Sequence, residues 1–169
     1  HQIKFTYQPY SRTNATPDVV VEPYFLKIFR QRWYVTGLNV KENKIKTYAL
    51  DRMKDVVVLQ ETFEIPDDFD AESYIKYSFG IVFSQGEVKN VSIKTDSRQA
   101  KYLRALPLHS SQQEMIHDSY SIFNYRLRIT PDFVQELLSH GPSVTVIEPP
   151  ELKAMIVTSL EESLANYKK

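Results

Sequence analysis

A chain of 169 residues, 42% hydrophobic and 25% charged, reads as a folded globular protein with room for one ordinary domain or two small ones. Its 21 basic and 21 acidic residues cancel, so no global charge argues for nucleic acid or an acidic membrane as partner. The absence of cysteine excludes disulfides, thiol nucleophiles and thiolate-bound metals, and no apolar run approaches the ~18 residues of a membrane helix.

In chain order, the first half reads as strands. "IKFTY" (3–7) alternates apolar and polar residues, and so does "VVVEPYFLKIF" (19–29), where Pro23 predicts an edge strand or a bend. "RWYVTGLNV" and "KTYALDRM" flank the polar connection "KENK" and predict a hairpin; "DVVVLQETF" (55–63) predicts a further strand. Five short strands in about 63 residues favour a small barrel over a flat sheet. "IPDDFDAESYIKYSFG" (65–80) then reads as an acidic helix start, a short amphipathic helix and a closing glycine.

The rhythm changes after that. "EVKNVSIKT" (87–95) predicts a strand, and Asp96 or Ser97 caps the helix "RQAKYLRAL". "SSQQEMIHD" and "SYSIFNYRLRIT" pair as a hairpin, followed by a helix that Thr130 caps, Pro131 opens and Gly141 ends. "SVTVIEP" reads as a buried strand, and the stretch from Pro150 onward as a long amphipathic helix. The order β-α-β-β-α-β with one more helix is that of the split βαβ, ferredoxin-like pattern. The fold class expected is therefore α+β: a small Sm/SH3-like barrel over 1–82, then a ferredoxin-like domain with an extra C-terminal helix over 83–169.

Catalytic chemistry finds little support. The histidines at 1, 109, 117 and 140 never fall three or four residues apart, so no metal site is expected. No G-x-S-x-G elbow or phosphate-binding glycine loop occurs, and four glycines leave little material for one. Neither an enzyme nor a cofactor is expected. Charge is uneven, however. Residues 27 to 54 carry eight bases against Glu42 and Asp51, while 55 to 72 carry seven acids and no base. In the basic stretch and on the opening strands, Tyr7, Trp33, Tyr34 and Tyr48 alternate with Arg32, Lys46 and Arg52. Aromatic faces stack on planar ligands and arginine forks grip phosphate or carboxylate. The competing reading is core packing: Trp33 and Tyr34 are strand neighbours, so one of them points inward, and Asp51–Arg52 could be a turn or a structural pair.

"RWYVTGLN" followed by "KTYALDRM" resembles the signature of the WYL domain, which is named for a Trp-Tyr-Leu triplet and has a later "F-R-L-D-R-I" strand. "IKFTY" and "VVVEPYFLKIF" resemble its opening strands. "VKNVSIKTD", "LPLHSSQQ" and "YRLRITPDFVQELLSHGPSVTVIEPPEL" resemble the extension that follows many WYL domains. Together the likenesses cover nearly the whole chain. The resemblance implies a bacterial, cytoplasmic transcription regulator in which the barrel senses a ligand, in some members a nucleotide or single-stranded nucleic acid. Promoter DNA would be met only through a winged helix-turn-helix domain, of which this chain shows no pattern, since it opens at His1 directly on a strand. A homodimer is implied, and no membrane contact.

By position, Tyr7 matches the opening-strand tyrosine, Trp33 and Tyr34 the Trp-Tyr pair, and Asp51 and Arg52 the Asp-Arg pair. Val35 replaces the leucine, and Ala49 stands where the family commonly has arginine, removing one forked donor. The site expected is thus Tyr7, Arg32, Trp33, Tyr34, Lys46, Tyr48, Asp51 and Arg52. Arg52, helped by Arg32 and Lys46, would hold an anionic group, Tyr7, Tyr34 or Tyr48 would stack on its planar part, and Trp33 would be mainly structural. The alternative from another class is a non-sensing dimerisation module.

Overall fold

The computed structural model describes residues 1–83 and 86–168. The fold is mixed α+β with two antiparallel sheets, in two compact units, His1–Ser73 and Tyr74–Lys169. The division falls inside the short helix α1 (Ala71–Lys76).

The first unit is a five-stranded sheet of β1 (Ile3–Tyr7), β2 (Thr16–Phe29), β3 (Arg32–Asn39), β4 (Lys44–Ala49) and β5 (Met53–Val58), in the order β4-β3-β2-β1-β5. The sheet is open, with β4 and β5 as its two edges, so the closed barrel anticipated from the strand count does not form. Bending without closure comes from β2. Its first part, from Thr16 to Val21, pairs with β1, and its second, from Val21 to Phe29, pairs with β3. Where the partners change over, the register slips between Pro23 and Phe25. A proline has no N–H for the ladder, and a bulge is where a strand tolerates one. Pro23 therefore marks a bend inside a central strand, and the edge alternative is excluded.

Gly37 of β3 lies opposite that bulge. A Cβ there would come within 2.0 Å of the Glu22 carbonyl oxygen and 2.9 Å of Pro23 Cα. Only glycine admits so close an approach of two backbones. Beyond the bulge β2 turns into β3 through Arg30 and Gln31, both with positive φ (47° and 64°). Left-handed backbone at both loop positions is the twist that joins two-residue hairpins. The strands bury a compact core of Phe5, Val19, Val21, Val35 and Tyr48, against which Ile3, Tyr7 and Met53 pack.

The second unit runs β6 (Lys89–Asp96), α2 (Ser97–Ala105), β7 (Gln113–Ile116), β8 (Tyr120–Leu127), α3 (Pro131–Ser139), β9 (Val144–Glu148) and α4 (Pro150–Tyr167). Its sheet has the order β7-β8-β6-β9, all pairs antiparallel. Inward residues alternate on the central strands (Val91 and Ile93 on β6, Phe123, Tyr125 and Leu127 on β8) as a half-buried sheet requires. Leu103 of α2, Phe133 and Leu137 of α3 and Leu152 of α4 complete one core. Asp96 caps α2 by accepting the Gln99 N–H at 2.7 Å. Thr130 occupies the N-cap of α3 without a side-chain cap bond, because its hydroxyl is engaged by Asp132. Strand β9, read as buried, is an edge strand with only Val146 inside. Among the described residues no helix is long and apolar enough to cross a membrane.

Candidate functional site

The expected site residues separate into two groups. One lines a cleft of about 610 Å³ whose walls include Tyr7, Arg12, Asn39, Lys41, Lys46 and Tyr48. Here the tyrosines are structural. Tyr48 is buried, and its hydroxyl accepts from Asn39 Nδ2 at 2.8 Å. Tyr7 meets it edge-on, ring centroids 5.0 Å apart, and the Tyr7 hydroxyl accepts the Ala49 N–H at 3.2 Å. Burial holds the Tyr48 phenol above its ordinary pKa, against the bond from Asn39. Lys46 is spent on Glu42, four residues away, at 2.5 Å.

The second group gathers on the turn between β4 and β5, a 3₁₀ turn over Leu50–Arg52, and on the start of β3. Arg32 and Asp51 form an ion pair at 3.3 Å, each about half exposed. Arg52 differs. Its Nε is buried and donates to no acceptor, and among the described residues no carboxylate pairs with it. A buried guanidinium N–H without an acceptor is costly, and such groups in a native fold call for an explanation. The backbone beside it is fixed, because the Arg52 carbonyl accepts the Gln8 N–H at 3.1 Å. That bond brings in the loop after β1. The ring of Tyr10 lies under the Arg52 guanidinium, 3.6 Å from centroid to carbon, and the Tyr10 hydroxyl is hydrogen-bonded by Arg32. Both arginines hold that phenol below its ordinary pKa, Arg32 first.

Trp33 and Tyr34 differ in burial. Tyr34 is buried, pairing with Ala49 across the β3–β4 ladder, and Trp33 is 51% exposed. Strand alternation does split the pair, but it sends the tyrosine inward. Neither Tyr34 nor Tyr48 offers an open ring face for stacking. The residue the sequence reading missed is Tyr10. The available signal was an aromatic in a polar turn, "QPYSRT", directly after the strand that carries Tyr7. A separate apolar groove of about 530 Å³ is lined by Pro23, Leu26, Val35, Leu50, Met53 and Val56 among others. No group of three or more histidines and carboxylates able to hold a metal occurs among the described residues.

The fold is that of a two-unit α+β protein whose Leu50–Arg52 turn carries a guanidinium with a buried, unpaired Nε. The chain belongs to the WYL-domain family: residues 1–58 match the WYL domain and residues 87–164 the WCX domain. Among solved structures it is similar to proteasome accessory factor B/C (PafBC) of Arthrobacter aurescens, at 27% identity with a TM-score of 0.41. That match covers 95% of this chain and 24% of the PafBC chain. It is also similar to a CRISPR Cas-related protein at 11% identity and a TM-score of 0.54, a likeness of fold alone, covering 99% of this chain and 48% of that one. No curated protein matches the chain significantly.

Proposed function

We propose that this chain is the ligand-sensing portion of a bacterial WYL-domain transcription regulator. It binds a nucleotide, an oligonucleotide or another anionic ligand at Arg52 and Arg32, without catalysis, and controls an attached DNA-binding domain. The observation that carries this reading is the buried, acceptor-less Arg52 Nε beside a second arginine in an exposed setting. Arginine forks suit phosphate and carboxylate oxygens, and a ligand that accepts from Nε removes the cost of leaving it unpaired. With Ala49 in place of the family's arginine, Arg52 and Arg32 are the guanidinium donors that meet at Tyr10. The strand order β4-β3-β2-β1-β5 supports an Sm/SH3-like ancestry for the open first sheet. The order β7-β8-β6-β9, with helices following β6 and β8 in the chain, supports a ferredoxin-like second unit. Calorimetric titration with nucleotides and short single-stranded oligonucleotides tests the reading, and heat that Arg52→Ala abolishes is the expected result.

A second reading, a dimerisation module, is favoured by the apolar surface. Leu26, Ile28 and Trp33 are each more than half exposed, and on α4 Val157, Leu160, Leu164 and Tyr167 repeat at alternating spacings of three and four. That spacing is the seam of a helix pair. Light scattering on wild type and Leu160→Glu/Leu164→Glu separates the two readings. A dimer lost in the variant with anion binding unchanged makes assembly and sensing separate properties.

A further inference from the structure

The side chain of Tyr10 occupies the arginine site in a particular way. Its ring lies face to the Arg52 guanidinium at 3.6 Å, while its oxygen is held mainly by Arg32, with a weaker bond from Arg52. The residue is 71% exposed, so burial does not account for its position. What holds the loop is Gln8, whose Nε2 donates to the carbonyls of Arg12 (3.2 Å) and Thr13 (3.4 Å). Those bonds tie Gln8 to Arg12 and Thr13 and do not involve the Tyr10 side chain. Asp51, the other group facing Arg32, neutralises part of its charge from 3.3 Å, whereas Arg52 has no such partner. A ligand that reaches Arg52 must replace a ring, and one that reaches Arg32 must replace a phenol oxygen.

We propose that Tyr10 is an internal stand-in for the ligand. The site takes a planar aromatic anion, its ring on Arg52 and an anionic oxygen at Arg32, and this ligand displaces Tyr10 on binding. The inference rests on the sensing role given to Arg52 and adds to it the ligand's chemical class and the residue it competes with. An anion brings what the phenol lacks, a full charge for the two guanidinium groups. The planar face recovers the stacking that leaves with Tyr10. Either an aryl acid or a nucleotide can supply that chemistry.

The test follows the Arg52 Nε–H resonance of the full chain by NMR during titration with benzoate, cyclohexanecarboxylate, inorganic phosphate and adenosine monophosphate. The aromatic anions are expected to bind at least about threefold tighter than the two ligands without a ring, the scale of an exposed cation–π contact. Benzoate ahead of the monophosphate identifies a compact aryl acid, and the reverse identifies a nucleotide. Tyr10→Ala, at an exposed loop position where folding is not at stake, should raise the affinity for the preferred anion about three- to tenfold by removing the competitor. Tyr10→Phe, which keeps the ring and loses the bond to Arg32, should fall between. Weaker or unchanged binding by Tyr10→Ala overturns the stand-in role, and equal affinity for benzoate and cyclohexanecarboxylate overturns the aromatic class. If no anion in the panel moves the Arg52 resonance of wild type or Tyr10→Ala, the sensing site itself fails.

Discussion

Gly37→Ala places a single methyl group where the fold has least room. The added Cβ would sit 2.0 Å from the Glu22 carbonyl oxygen, 2.9 Å from the Glu22 carbonyl carbon and 2.9 Å from Pro23 Cα. All three neighbours are backbone, so no rotamer change can relieve the contact. A carbon and an oxygen need more than about 3 Å between them, so β2 would have to withdraw from β3 by about 1 Å at the bulge, a shift of backbone in a close-packed region. Overpacking of this kind commonly costs about 1–3 kcal/mol. With backbone on both sides the upper end applies, about 3 kcal/mol, a large share of the ~5–15 kcal/mol that stabilises a domain. The effect should also reach the site, because the β2–β3 ladder positions Arg32 opposite Phe29, and the β3–β4 ladder runs to Ala49 beside the turn of Asp51 and Arg52. Trp33, the sole tryptophan, lies four residues away on the same strand and reports unfolding of this unit by fluorescence. Urea unfolding of Gly37→Ala should show the Trp33 transition at clearly lower denaturant. A midpoint within error of wild type would mean that β2 and β3 do not approach as described.

Three further substitutions check other parts of the account. Gln31→Gly relieves a non-glycine residue held at φ 64° and should stabilise the β2–β3 hairpin by about 0.5–1 kcal/mol, read as a later Trp33 transition. Asn39→Ala removes the donor to the buried Tyr48 hydroxyl and the acceptor for the Glu42 N–H, and about 1–3 kcal/mol should go with them in the same assay. In the second unit Arg104 grips Glu114 with two bonds of 2.7 Å, and this pairing holds the Glu114 carboxyl below the usual glutamate range. A depressed folded-state pKa gives stability that is present above the unfolded value and is lost as pH falls through the folded one. Acid unfolding followed by circular dichroism should therefore show Glu114→Gln and wild type drawing together below the ordinary glutamate pKa, and a gap that stays constant with pH would contradict the pairing.

Local pattern carried most of the fold. Alternation located β1, β3, β6 and β8, the Asp96 and Pro131 helix starts came from capping rules, and the element order β-α-β-β-α-β of the second unit was readable from the sequence. Closure of the first sheet was not readable, because strand count does not say whether β4 and β5 meet, and here the 3₁₀ turn joins them without pairing. The turn at Arg30–Gln31 was hidden because its left-handed backbone falls on residues that seldom adopt it. In the site, Arg52 and Arg32 could be picked out as a basic pair, but period-two alternation only says that Trp33 and Tyr34 point apart. Which of them is buried depends on what covers each face of the sheet, and that is not written in the alternation. Tyr10 lies in a loop with no periodicity, and the bond between Gln8 and Arg52 is one of the contacts that bring it to the arginines.

The central claim is that Arg52 is an anion-binding residue, and the most direct measurement is the salt dependence of anion affinity in wild type and Arg52→Ala. Calorimetry on the full chain with the best-binding nucleotide or oligonucleotide, at several ionic strengths, should show at least about a tenfold loss of affinity in Arg52→Ala, in line with a lost charge-assisted bond. The dependence of log K on log salt should also become shallower. Affinity that survives the substitution with its salt dependence unchanged would contradict the claim and leave Arg52 a structural residue of the turn.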